Sequence, residues 1–222
     1  MDIKKAIKER HSVRSFKALP IPEDIRERLG ELVFECNKES GLRIQAIYND
    51  PECFDTFLAH YGKFKNANNY IALVGNKSRE NLDELCGYYG ERLVLELQDM
   101  GLRSCWVGGS YGRGKCKADT EAGEKIVCVI AFGYGENDGV RHRTKPAQKL
   151  CNVAEEEMPT WFRNGMVAAM MAPTAINQQK FFITLEGEDV TITSRRGPFS
   201  KVDLGIVKYH FETVTGRSVK TE

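Results

Sequence analysis

Apolar residues recur every three or four positions from Leu82 to Met100, at Leu82, Leu85, Cys86, Tyr89, Leu93, Leu97 and Met100. That period predicts a helix, and Gly101 terminates it. Tyr88, Val94 and Leu95 widen the apolar stripe, so this helix is expected to be central and buried, with Gly87 and Gly90 marking close packing against a neighbour. The same period runs through Ile25, Leu29, Leu32, Val33 and Cys36, in a helix opened by Pro20 to Asp24 and ended by Gly41. Met1 to Arg10, Pro159 to Met171 and Asp203 to Thr213 read as further helices, with Gly216 beyond the last. Ile44 to Tyr48, Tyr70 to Val74 and Lys125 to Phe132 read as strands, and Lys180 to Leu185 with Asp189 to Ser194 as an alternating hairpin around Gly187. Val140 to Lys149 is basic, contains Pro146 and reads as a loop.

The pattern carries an internal echo. The stretch from Ile21 set against the stretch from Met158 superposes Pro22 on Pro159, Arg26 on Arg163, the helical apolar face and the strand that follows. A degenerate second copy of the helix and strand is one source of such a match, and chance agreement is the other.

Length and composition add bounds. A chain of 222 residues, 41% of them hydrophobic, suits one large domain or two intimately packed halves. Charge is nearly balanced, 32 Lys and Arg against 31 Asp and Glu, so no global field draws nucleic acid or an anionic membrane. No apolar run approaches the roughly 20 residues of a membrane span, and the opening MDIKKAIKER reads as a charged helix start rather than a signal peptide, so a cytoplasmic protein is expected. Seven cysteines without a CxxC pair fit reduced thiols, and four scattered histidines give no zinc-ligand spacing.

Four segments carry candidate chemistry. Arg10-His11-Ser12-Val13-Arg14 places two guanidiniums and a hydroxyl just after a helix; it reads as a phosphate clamp or as a solvated basic turn. Arg141 to Pro146, with Arg143 and Lys145, is a second basic cluster that can close on the same phosphate, whereas Arg195-Arg196 reads as a solvent-facing hairpin end. Gly108-Gly109 follows a helix cap and a short apolar segment, and is either a tight turn or a place where backbone N–H groups approach a flat ligand. Met171 to Gln179, with Pro173, Thr174, Ala175 and Asn177, is either a helix end and turn or a bed of small residues and amides against a ring.

Two formal motif matches fall in the glycine-rich stretch. Gly108 to Gly112 spells GxSxG, but Arg113-Gly114-Lys115 is a poor start for the helix that a nucleophile elbow needs. Gly109 to Lys115 spells GxxxxGK, but Cys116 stands where a magnesium-binding hydroxyl belongs. With no nucleophile, acid, base or metal site of its own, such a protein takes its chemistry from an organic cofactor.

Together these segments resemble the nitroreductase family of FMN-dependent oxidoreductases. RHSVRSF resembles that family's N-terminal R-x-S-x-R, ERLVLELQDMGLRSCWVGG its central helix and Gly-Gly segment, IAFGYGE with RTKP its late strand and basic loop, and MAPTAINQQKFFI its Ala-Pro-Ser segment. The resemblance implies an α+β nitroreductase-like fold, a mostly antiparallel central sheet flanked by helices. It implies FMN as cofactor: Arg10, Ser12 and Arg14 with neighbouring His11 at its phosphate, helped by Arg143 and Lys145; Gly108 and Gly109 offering N–H groups to its O4 and N5; Pro173, Thr174, Ala175 and Asn177 lining its ring. It further implies NAD(P)H as electron donor and ping-pong hydride transfer through flavin N5 to a small-molecule acceptor, a nitroaromatic, quinone or similar compound.

The order of the segments departs from the family, where the Pro-Ser segment follows the second helix, near Cys36 to Ser40 here, and reaches across a dimer interface. Here the clamp and Gly-Gly segment lie in residues 1–150 and the ring-lining segment in residues 151–222. Two arrangements are open: a pseudo-dimer that completes one site within one chain, or a homodimer in which Asn177 completes a neighbour's site. The family's pyrimidine contact has no evident match in Tyr61 to Asn69. Rival readings are a flavin-binding regulatory module without turnover and a flavin-destroying or dehalogenating relative of the same fold.

Overall fold

The computed structural model describes residues 2–56 and 62–220. Helix α1 (Ile3–Glu9) is capped by the Asp2 carboxylate, which accepts from the Lys5 N–H. Helix α2 (Glu23–Ser40) starts behind Pro22 with Glu23 and Asp24 in its first turn, where their charge favours the exposed N–H groups, and stops at Gly41, whose φ of 67° is left-handed. Helix α3 (Leu82–Asp99) is the predicted central helix, and Gly101 at φ 79° turns the chain out of it. Helix α4 (Thr160–Met171) starts behind Pro159, and α5 (Ser200–Thr215) ends at left-handed Gly216. The last helix begins three residues earlier than its apolar period does. Asp203 N–H bonds the Phe199 carbonyl, so polar Ser200 and Lys201 form a first turn that carries no hydrophobic signal.

Strands β1 (Gln45–Ile47), β2 (Asn69–Asn76), β3 (Arg103–Val107) and β4 (Glu124–Gly133) form an antiparallel sheet in the order β1-β2-β4-β3. Register sets Tyr70 opposite Ala131 and Ser104 opposite Phe132. β2 and β4 are central and buried on both faces, which explains their unbroken apolar runs. The segment read as a short apolar stretch before Gly108 is the edge strand β3. Ser12 pairs with Ser104 as an isolated bridge and the Val13 N–H bonds the Ser104 carbonyl, so residues 12–13 extend that edge. β5 (Phe181–Glu186) and β6 (Asp189–Ser194) form the predicted hairpin, turned by Gly187 at φ 64°.

α3 covers one face of the sheet and α5 covers α3. The crossing is possible because two glycines lack a Cβ: one on Gly87 would lie 2.0 Å from the Val202 carbonyl oxygen, and one on Gly205 would lie 1.9 Å from that of Glu84. Gly90 admits the Trp106 ring in the same way. The succession helix, strand, strand, helix occurs twice, as α2-β1-β2-α3 and α4-β5-β6-α5. Pro22 and Pro159 occupy the same place in the two runs, at φ −60° and −56°. No helix among the described residues is long and apolar enough to cross a membrane.

Candidate cofactor site

Two confluent cavities lie where α5 and the segment after α4 meet the edge of the sheet. The inner one, about 120 Å³, is lined by Ser12, Arg14, Gly108, Pro173, Thr174 and Ala175, with Val107, Cys128, Val202 and Ile206 as its apolar floor. The outer one, about 530 Å³, is lined by Arg10, His11, Ser12, Arg14, Lys63, His142, Thr174 and Asn177. Ser12, Arg14, Pro173, Thr174 and Ile176 line both. Together they fall within the size range of small-molecule sites.

The chain brings the clamp together by packing it. Arg10, 5% exposed, caps α1, and its guanidinium Nε lies 3.7 Å from the fully buried Glu91 carboxylate of α3. Its Nε has no hydrogen-bond partner. Burial pushes the Arg10 pKa down while Glu91 pulls it up. Arg10 lines the outer cavity as a buried cation, which suits an anion there. Arg14 is exposed at the mouth. His11 Nδ1 lies 2.7 Å from the Glu9 carbonyl.

Glu91 is tied down on three sides. Trp106 Nε1 donates to Oε2 at 2.8 Å, and His210 Nε2 lies 2.8 Å from Oε1 while its Nδ1 faces the Ala168 carbonyl. The clamp arginine, the central helix and α5 are thus fastened to one carboxylate that is wholly inside the protein.

Gly108 lies under the Phe199 ring, which a Cβ there would approach to 2.5 Å. Gly109 is exposed and open to solvent, with nothing within 4 Å of its Cβ position. Beyond α4, Pro173 leads into a loop with left-handed Ile176, Asn177 and Gln179 at φ 48°, 54° and 44°. Asp203 holds this loop: its carboxylate accepts from the Ala175 N–H at 2.9 Å and from Gln178 Nε2 at 2.7 Å. Burial raises the Asp203 pKa to about 6, against those two hydrogen bonds.

Arg143 and Lys145 are brought to the loop rather than to the clamp. The Arg143 carbonyl accepts from Asn177 Nδ2 and Gln179 Nε2, and Lys145 Nζ donates to the Gln178 and Gln179 carbonyls. Lys145 lines a separate cavity against α4.

Sequence reasoning missed Phe199, Val202, Asp203 and Ile206. Asp203 and Ile206 fall in the expected last helix, whereas Phe199 and Val202 precede its expected start, and nothing local marks any of the four as opposing Gly108. It also missed Lys63, which lies in the stretch where no pyrimidine contact was evident; Tyr61 of that stretch is outside the described residues.

The family model described as "Putative TM nitroreductase" matches residues 2–215. Among curated proteins none matches the chain. A crystal structure of a putative nitroreductase from Thermotoga maritima is 22% identical and superposes with a TM-score of 0.70, over 96% of this chain and 83% of that one. One of a putative nitroreductase in complex with FMN from Desulfovibrio desulfuricans is 20% identical at TM-score 0.53, over 72% of this chain and 99% of that one. One of a putative NADH oxidase from Clostridium acetobutylicum is 20% identical at TM-score 0.51, over 69% and 99%. At these identities the likeness is one of fold.

Proposed function

Because the chain belongs to the nitroreductase family whose model spans residues 2–215, we propose that it is an FMN-dependent oxidoreductase that takes electrons from NADH or NADPH and delivers them to a small acceptor. The observation that carries this reading is the joint lining of one cleft by Ser12 and Arg14 from the start of the chain and Pro173 to Ile176 from its last third. FMN, when bound, supplies the two-electron chemistry between donor and acceptor.

The residues present fit that group. Arg10, Ser12 and Arg14 hold the phosphate in the outer cavity, with His11 and Lys63 beside them. Gly108 leaves its backbone N–H unshielded by a side chain of its own, with Gly109 next to it, and both offer donors to the polar edge of the ring. Pro173, Thr174 and Ala175 line the inner cavity together with Gly108. Asn177 acts through the loop, since its amide bonds the Arg143 carbonyl. Arg143 and Lys145 support the same loop. The catalytic share of the chain is to orient and to stabilise charge; no side chain serves as an essential acid or base.

In this reading, residues 1–150 and 151–222 form one packed unit that completes a single site within one chain. Donor and acceptor take turns on the exposed face of the ring, beside Ile176, which is 87% exposed and lines both cavities. The test is anaerobic addition of NADH or NADPH to FMN-loaded protein. Bleaching of the flavin band, and its return on addition of a quinone or nitroaromatic compound, is the expected result. A flavin that neither nicotinamide reduces would leave a binding module without turnover.

A further inference from the structure

The cysteines are not equivalent. Six of the seven are buried, and burial raises the pKa of Cys36 to about 11 and of Cys86 to about 12 and pushes Cys105 and Cys128 upward as well. Cys116 alone is partly exposed, and it packs against the cluster that holds buried Cys53 on the sheet face opposite α3. The backbone enforces the pairing. The Gly112 N–H bonds the Cys53 carbonyl at 2.7 Å, and a single turn then brings the Cys116 N–H back to the Gly112 carbonyl at 3.0 Å. A Cβ on Gly112 would come within 2.9 Å of Thr56, so the approach needs that glycine. Lys115 Nζ ties the same turn to the Asp55 carbonyl at 3.1 Å.

We propose that Cys53 and Cys116 form a redox-active dithiol that a hydroperoxide oxidises to an intrachain disulfide, with Cys116 attacking and Cys53 resolving. Both side chains belong to one apolar cluster, Cys53 buried within it and Cys116 packed against it. The neighbouring Cys53 thiol, the Tyr70 hydroxyl and the Ala118 N–H hold the Cys116 thiol below its usual range, although burial and the Asp50 charge oppose them. The neighbouring carboxylate of Asp50 is already engaged by the Tyr70 hydroxyl at 2.6 Å and by Lys117 Nζ at 3.4 Å. A partly exposed thiol held below its usual range next to a second thiol is the arrangement found at thiol redox sites. Neither cysteine lines the cofactor cleft.

The chemistry balances. The Cys116 thiolate attacks the hydroperoxide, an S–O bond forms, the O–O bond breaks, and the alkoxide leaves with a proton as alcohol. Cys53 then attacks the sulfenic sulfur, an S–S bond forms, the S–O bond breaks, and hydroxide leaves with the Cys53 proton as water. Two thiols lose two electrons and the peroxide gains them. An external dithiol reverses the change and is itself oxidised.

The experiment treats the reduced full chain with hydrogen peroxide, counts thiols after denaturation and maps linked peptides by mass spectrometry. Expected is the loss of two of the seven thiols and one peptide joining Cys53 to Cys116. Cys53→Ser should instead accumulate a sulfenic acid at Cys116 that dimedone captures, and Cys116→Ser should keep all its thiols. Linkage through other cysteines, equal oxidation of all seven, or unchanged thiol loss in Cys116→Ser would each overturn the proposal. If Cys53→Ser fails to fold, the wild-type peptide map decides alone. The readout does not depend on FMN.

Discussion

Gly87 of α3 and Gly205 of α5 are reciprocal: each stands where the other helix presents bare backbone, at Val202 and Glu84 respectively. A glycine inside a helix normally costs about 1 kcal/mol relative to alanine. Here the preference reverses, because a methyl would meet a carbonyl oxygen that cannot swing aside. Gly87→Ala and Gly205→Ala are each expected to destabilise by about 1–3 kcal/mol, as overpacked cores do. Urea denaturation measures it; a gain in either variant would mean that the helices slide apart easily.

The Glu91 carboxylate is the common anchor of Arg10, Trp106 and His210. Glu91→Ala leaves a buried guanidinium without its counter-ion and is expected to cost roughly 3–5 kcal/mol. Loss of secondary structure at lower denaturant concentration reads this out. Wild-type stability would show that water or movement of Arg10 replaces the carboxylate.

Arg10→Ala and Arg14→Ala each remove a charge-assisted contact worth about 1.5–3 kcal/mol, which corresponds to a rise in the FMN dissociation constant of roughly 10- to 150-fold. Ser12→Ala should cost less, being a neutral donor. Quenching of flavin fluorescence measures all three. Unchanged affinity in both arginine variants would remove the clamp.

Asp203 gives a pH signature. Its folded-state pKa is raised to about 6, so its contribution to stability is fully present below the usual carboxylate range and is lost as pH rises through about 6. In FMN-free protein the stability of the wild type relative to Asp203→Asn should therefore fall between pH 4 and pH 7, by up to roughly 3 kcal/mol. A difference that does not change with pH would place the carboxyl in its ordinary range.

Much of this was legible in the chain, because the period of three or four through Leu82 to Leu97 and the unbroken run Ile126 to Phe132 report directly on burial. Stops at Gly41, Gly101 and Gly216 follow from the left-handed conformation that glycine allows. The clamp segment and the Pro173 segment were each visible but ambiguous, since a basic turn and a helix end look alike until the fold sets them across one cleft. Phe199, Asp203 and Lys63 were not visible as site residues. Their roles depend on which element lies opposite them, and nothing in their own neighbours encodes it. Glu91 was hidden for the same reason: its apolar surroundings read as a helix face, and its three partners are distant in sequence.

The most direct measurement is a titration of the purified chain with FMN, followed by absorbance and flavin fluorescence together with the mass of the complex from light scattering. One FMN is expected to bind saturably per chain, in a complex whose mass is that of a single chain. A chain that takes up no FMN, or takes it up only when paired with a second copy, would contradict it.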